Sequence, residues 1–250
     1  MARLAAQELG LDLRIVVNAA NSGSVFRQWT RGVELARGDF VWIAEADDLA
    51  EPNFLETVVP AFDDVEVMMS YCQSRQIDAE GRVLADDYHV YTDEVSATHW
   101  RQSYRNEGED EIRRYLAVKN TIPNVSAVVF RRSALQKALT EALPSMLAYR
   151  IAGDWLAYVT VLSCGSIAFD PRSLNLHRRH SGSVTLGSDQ WPHLLEVMRA
   201  QRWIRQRHPP AAEVASRAVD YAQRLYQQFG LATPQAPTID LNHVTAALLD

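Results

Sequence analysis

The sequence predicts an α/β layered domain followed by a helical C-terminal part. Short β-branched runs recur as far as Phe169, helical patterns lie between them, and the stretch 191–229 is helical in pattern with one break at Pro209-Pro210. Strands alternating with helices argue for helices packed on the faces of one sheet. The composition agrees: 250 residues, 47% hydrophobic and 22% charged, supply enough chain for one large domain or a domain with a small annex.

Residues 2–9 are strong helix formers closed by Gly10. The β-branched run 14–17 reads as a buried strand ending at Asn18. Asn21-Ser22-Gly23-Ser24 is turn chemistry, with Gly23 suited to backbone angles that few residues adopt. An amphipathic helix over 25–36 follows, terminated by Gly38. Residues 40–44 give the strongest strand signal and run directly into Glu45-Ala46-Asp47-Asp48. Pro52 then sits at the start of a helix whose apolar face is Phe54, Leu55, Val58 and Val59. Further strands are expected at 65–72, 125–130 and 166–169, and helices near 109–118, 133–141 and 154–163. The stretch 81–106 lacks a period and reads as an irregular excursion. Pro209-Pro210 break the C-terminal helical stretch, Pro234 and Pro237 mark a linker, and a short helix is expected over 240–249. Trp29 and Trp42 are expected in the core. The reading divides the chain into a main domain at 1–188, a helical annex at 189–229, and a linker with a terminal helix at 230–250.

Several function classes fall away. A net charge of -6 argues against nucleic-acid binding through bulk electrostatics. No apolar run approaches the ~20 residues that a membrane-spanning helix requires. The first residues lack the order of a signal peptide, and Cys72 and Cys164 suggest neither a disulfide framework nor a metal site. A cytoplasmic chain is the default expectation.

The acidic cluster is the first chemical signal. Ligands of open α/β sheets sit beyond the carboxyl ends of strands, and Glu45, Asp47 and Asp48 follow an apolar strand directly. Side chains alternate along extended backbone, so Glu45 and Asp47 can share one side and one divalent cation, with Asp48 adding charge. Hard oxygen donors select magnesium or manganese, which commonly bridge carboxylates to substrate phosphates. The competing reading is that Asp47 or Asp48 only caps the helix near Pro52.

Four segments, in order over residues 12–186, carry a resemblance. They are the N-x-G turn at Asn21 and Gly23 with Ala36-Arg37-Gly38, the strand ending in the acidic cluster, the run Asn120 to Arg132, and Gly153-Asp154-Trp155 with the basic run Leu174 to Thr185. Together they resemble the family-2 inverting glycosyltransferases of GT-A fold. Glu45 stands where that family's cluster begins with aspartate, which makes Asp47 the firmer metal position.

The resemblance implies transfer of a sugar from a nucleotide-sugar donor to a saccharide or lipid-linked acceptor, with inversion, in a setting such as polysaccharide biosynthesis. It implies a divalent cation, Mn or Mg, held by Glu45, Asp47, Asp48 and His180. Asn21, Gly23, Asp47, Arg178 and Arg179 would serve the donor. Asp154 would be the general base, against the alternative that it N-caps its helix; Trp155 is either core packing or a sugar platform. The string His177 to His180 would add positive charge for the leaving diphosphate, or else form a solvated loop.

Family members begin with two strands that have no counterpart before residue 14. A fragment of a longer enzyme, a start set too far downstream, and a non-catalytic remnant all fit. An inactive, glycosyltransferase-like saccharide-binding or assembly module therefore stands as the alternative function. Packing on the core, contact between copies and peripheral membrane contact are all open to the C-terminal helices: Arg199, Arg202, Arg205 and Arg207 put positive charge there, but the large apolar face of an interfacial anchor is lacking.

Overall fold

The structure, a computed structural model, describes residues 7–8, 10, 12–179, 190–234 and 237–239. Its centre is a seven-stranded mixed sheet: β1 (Phe40–Trp42), β2 (Leu49–Ala50), β3 (Val67–Ile77), β4 (Val83–Ala85), β5 (Tyr104–Glu107), β6 (Val128–Arg131) and β7 (Ser166–Arg178). The strand order is β1-β6-β3-β7-β2, with β4 paired to β3 and β5 to β7. The β3–β7 pair is parallel and the others are antiparallel.

Around the sheet lie α1 (Val25–Leu35), α2 (Phe54–Val58), α3 (His89–Thr92), α4 (Gly108–Glu111), α5 (Arg132–Met146), α6 (Gly153–Leu162), α7 (Gln190–Arg207) and α8 (Ala212–Gln228). The α/β class expected from the sequence is what the chain adopts.

Adjacent residues of β6 divide between two apolar clusters: Val128 and Phe130 join the larger, Val129 the smaller. Side chains alternate along a strand, so the clusters cover opposite faces of the sheet. Helix α6 is apolar on all sides and buried from Trp155 to Leu162, as suits a helix inside the larger cluster. The same cluster takes Phe26, Trp29 and Val33 from α1, and Leu194, Ile204 and Tyr221 from α7 and α8. Ser24 starts α1 by accepting the Phe26 N–H at 3.2 Å.

Four expectations need correction. Residues 14–17 form no strand: the segment pairs with no described strand and leaves Ile15 45% and Val17 83% exposed. β-branched composition favours a pleated, half-buried surface, but a strand also requires a neighbour to pair with. Strand β1 stops at Trp42 and is half-buried, because it ends the main strand path. Trp42 is consequently 37% exposed rather than core, with its indole N–H donating to the Ser126 carbonyl at 2.8 Å. Trp29 is buried as expected. The excursion at 81–106 is partly ordered, since β5 pairs with β7 from Tyr104↔Phe169 to Glu107↔Ser166. Finally, β7 runs far past Phe169, so the basic run through Arg178 is strand and not loop.

Of the expected helix at 2–9 only residues 7–8 are described, and they are helical. The expected helix at 240–249 lies outside the described residues. Among the described residues no helix is long and apolar enough to cross a membrane.

Gly108 marks the tightest joint. A Cβ there would lie 2.0 Å from the Leu162 carbonyl oxygen and 2.2 Å from that of Gly165. Both contacts are backbone and cannot rotate away. Gly108→Ala should therefore cost on the order of 2–4 kcal/mol of stability, read as a lowered urea midpoint.

Candidate active site

A cavity of about 480 Å³ opens beside the acidic turn that follows β1 and extends to the start of α6 and the facing sides of α7 and α8. Glu45, Asp47, Asp48, Tyr91, Asp154, Val197 and Tyr221 are among the residues that line it.

The acidic turn is fixed from beneath by amides. Asp48 accepts the Asn124 Nδ2–H at 2.8 Å with one oxygen and the backbone N–H of Arg178 at 2.8 Å with the other. Asn124 Nδ2 also donates to Asn175 Oδ1, which accepts the Ser74 hydroxyl as well. Asn175, Asn124 and Ser74 are buried, and this network satisfies polar groups that would otherwise be costly there. The Glu45 backbone N–H donates to Ser126 Oγ at 3.0 Å. Glu45 is open to solvent on one side yet crowded on the other. Loss of water and the charges of Asp48, Asp47 and Asp154 push its pKa up to about 7.

The end of β7 supplies the cationic side. Arg178 spends its guanidinium on carbonyls: Nε donates to Asp47 O at 2.7 Å, and Nη1 to Asp78 O and Ala79 O at 2.7 and 3.0 Å. It therefore staples the acidic turn to the β3–β4 connection. Arg179 lines the cavity next to it. The His177 ring stacks on Tyr88, whose hydroxyl lies 2.5 Å from His177 Nδ1. Burial lowers the His177 pKa against the opposing pull of Asp48, so a cationic string through His177 is weaker than its composition promises. His180 lies outside the described residues.

Asp154 occupies the second position of α6, whose N-cap is Ala152. It is thus not the N-cap of its helix. Its Oδ1 accepts the Trp155 N–H at 2.8 Å and its Oδ2 the Asn120 Nδ2–H at 3.2 Å. Burial raises its pKa to about 6, with the two hydrogen bonds acting in the opposite direction. The preceding Gly153 is required by packing: a Cβ would come within 2.4 Å of the Phe26 ring. Trp155 is 1% exposed, donates to Leu116 O at 3.1 Å, and also lines the cavity.

Asn21 and Gly23 shape the turn before α1. Asn21 Oδ1 accepts the Gly23 N–H at 2.9 Å, and Gly23 has a φ of 70°. The cavity is lined by Val25 and Phe26 just beyond that turn. Residues that carried no role in the sequence reading also belong to the cavity: Tyr88, Tyr91, Asn120, Asn124, His193 and Tyr221. Asn120 and Asn124 open the run toward β6, and their side-chain amides within an apolar stretch were the signal available for them.

The donor set suits a hard cation only in part. Among the described residues no three His, Cys, Asp or Glu side chains form a closed cage. Glu45 and Asp47, with crowded negative charge and an open side, match the sites in which one or two carboxylates hold magnesium jointly with substrate phosphates.

A carboxylate held at a raised pKa destabilises the folded state once ionised. For Asp154 that cost is absent below its unfolded pKa of about 4, grows as pH rises, and is complete above about 6. Asp154→Asn should stabilise the protein by about 2 kcal/mol at pH 8 and by much less at pH 4.5, measured by urea unfolding at both.

Comparison with curated proteins gives no match at a significant level. The model of the family described as glycosyl transferase family 2 matches residues 2–139, more than half of the chain. The matched stretch includes the acidic turn and Asn120 to Asn124 and ends before Asp154 and β7, whose parts in the site rest on the geometry above. With its mixed GT-A-like sheet, the chain belongs to glycosyl transferase family 2.

Proposed function

We propose that the chain transfers a sugar, with inversion, from a nucleoside-diphosphate donor to a hydroxyl of a saccharide or lipid-linked acceptor. The observation that carries this is one cavity holding a half-buried carboxylate of raised pKa, Asp154, alongside the acidic turn after β1.

Asp154 accepts the proton of the acceptor hydroxyl. A pKa near 6 keeps it ionised at neutral pH while leaving it basic enough to act. Asn120 and the Trp155 N–H orient its oxygens. The donor diphosphate lies toward Asp47, with Arg179 facing it and Asn21 and Gly23 shaping the approach from α1. Glu45 and Asp47, backed by Asp48 and with His180 as a further ligand, would hold Mn or Mg. When bound, that cation supplies Lewis-acid neutralisation of the charge that grows on the β-phosphate. Arg178 and Asn124 keep the turn in place. The acceptor enters on the side of Tyr91 and Tyr221, so the annex 189–229 takes part in acceptor binding. A cytoplasmic location, with the arginines of α7 against the inner face of a membrane, goes with a lipid-linked acceptor.

The test is release of nucleoside diphosphate from a panel of UDP-, GDP- and dTDP-sugars with Mn or Mg, and the anomeric configuration of the product by NMR. Asp154→Asn should lower kcat by ~10²–10⁴-fold with donor KM unchanged; activity within a few-fold of the parent would remove Asp154 as base. In the parent, kcat/KM should fall about tenfold per pH unit below about 6, as Asp154 takes up its proton. The cation concentration needed for half-maximal rate should rise as pH falls through about 7, because a proton on Glu45 competes. Absence of heat in calorimetry with UDP, GDP and dTDP plus Mn would favour the non-catalytic saccharide-binding module instead.

A further inference from the structure

The start of α6 has no cap from its own sequence: Ala152 stands at the N-cap and offers no side-chain acceptor. The turn that leads into it is held from α7, more than forty residues along the chain. Glu196, 8% exposed, takes the Arg150 N–H with Oε1 at 2.8 Å, and the Ile151 and Ala152 N–H groups with Oε2 at 2.7 and 3.0 Å. Three consecutive amides closing on one carboxylate form an anion-binding nest, and hydrogen bonds to an ionised acceptor are the stronger kind.

Those three residues line the cavity and lead directly into Gly153 and Asp154. Two neighbours of Glu196 on α7, His193 and Val197, line the same cavity. The Gly153 backbone is also closely packed, with Phe26 occupying the place of a side chain. The path into Asp154 therefore meets both the Glu196 carboxylate and the Phe26 ring of α1.

We infer that Glu196 is a positioning residue for sugar transfer: by gathering the amides of 150–152 it sets where the Asp154 carboxylate meets the acceptor hydroxyl. This rests on Asp154 being the base. It makes α7 part of the catalytic apparatus as well as of the core. A base displaced by about 1 Å can lose on the order of a hundredfold in rate, so a nest this close in sequence to Asp154 has leverage on kcat.

Glu196→Gln keeps the shape but turns an amide N–H toward one backbone N–H, and Glu196→Ala leaves all three amides unpaired. The full chain is used, with the donor panel and Mn described above, alongside ¹³C-carboxyl NMR titration of Asp154. Glu196→Gln should lower kcat on the order of ten- to a hundredfold with donor KM within twofold of the parent. The Asp154 titration should move down from about 6 toward the ordinary carboxylate range as the turn loosens and water enters. Glu196→Asp should recover part of both. The inference is overturned if Glu196→Gln melts earlier yet keeps the parent kcat per folded molecule and an unmoved Asp154 titration. Asp154→Asn in the same assay separates the two readings. If it still transfers, the base assignment itself fails. If it is dead while Glu196→Gln is unaffected, only the positioning role fails.

Discussion

The Asp48 carboxylate joins three parts of the chain that are remote in sequence. It is reached by Asn124 just before β6 and by the backbone of Arg178 at the end of β7, while it stands itself in the turn after β1. Asn124 in turn shares its amide with Asn175, which also takes a hydroxyl from Ser74 in β3. A polar network beneath a site is costly if half satisfied and rigid if complete. Here the designated partners are matched, so the direction of the acidic turn is a property of the whole sheet. Asp48 thus serves Asp47 and Glu45 more than it serves a ligand of its own, and Arg178 completes the arrangement by anchoring the Asp47 carbonyl.

Much of the sheet can be read from residues alone, and the acidic cluster stands out as a candidate. An apolar run at 40–44 followed at once by carboxylates leaves two readings, a cation site and a helix cap, while the apolar segments leading into β3, β6 and β7 announce themselves by composition. What composition does not encode is partnership. Residues 14–17 have the same β-branched character as true strands and form none, because pairing depends on a neighbour. Trp42 reads as core by residue type and is exposed because of where β1 lies in the strand order. The basic pair at 177–178 reads as a loop by its charge; its strand character comes from the register with Gln76 and Ile77.

The second half of the site was less legible for a related reason. Tyr88 and Tyr91 sit in a stretch without period, where only tertiary contact gives them a place. Glu196 lies in a charged, helix-forming segment in which a glutamate ordinarily faces water. Its burial against 150–152 follows from how α7 packs on α6, which local sequence does not specify. Asp154 is a candidate through the resemblance carried by Gly153-Asp154-Trp155, and the structure gives its two neighbours packing roles. The glycine makes room for Phe26, and the tryptophan buries beside it.

The parallel pairing of β3 with β7 has a consequence for the order of events during folding. Val67 meets Ser166 and Ile77 meets Arg178, so this ladder closes a loop of about a hundred residues. Contacts of such separation form slowly, since chain entropy is lost before the contact rewards it. During synthesis the acidic turn, β3 and β6 all emerge before β7 exists to join them. Until Arg178 has left the ribosome, Asp48 lacks the amide that holds it, and the carboxylates of the turn face one another without their clamp. The cavity is therefore a late product of folding, complete only once β7 has joined the sheet and brought His177, Arg178 and Arg179 to its wall.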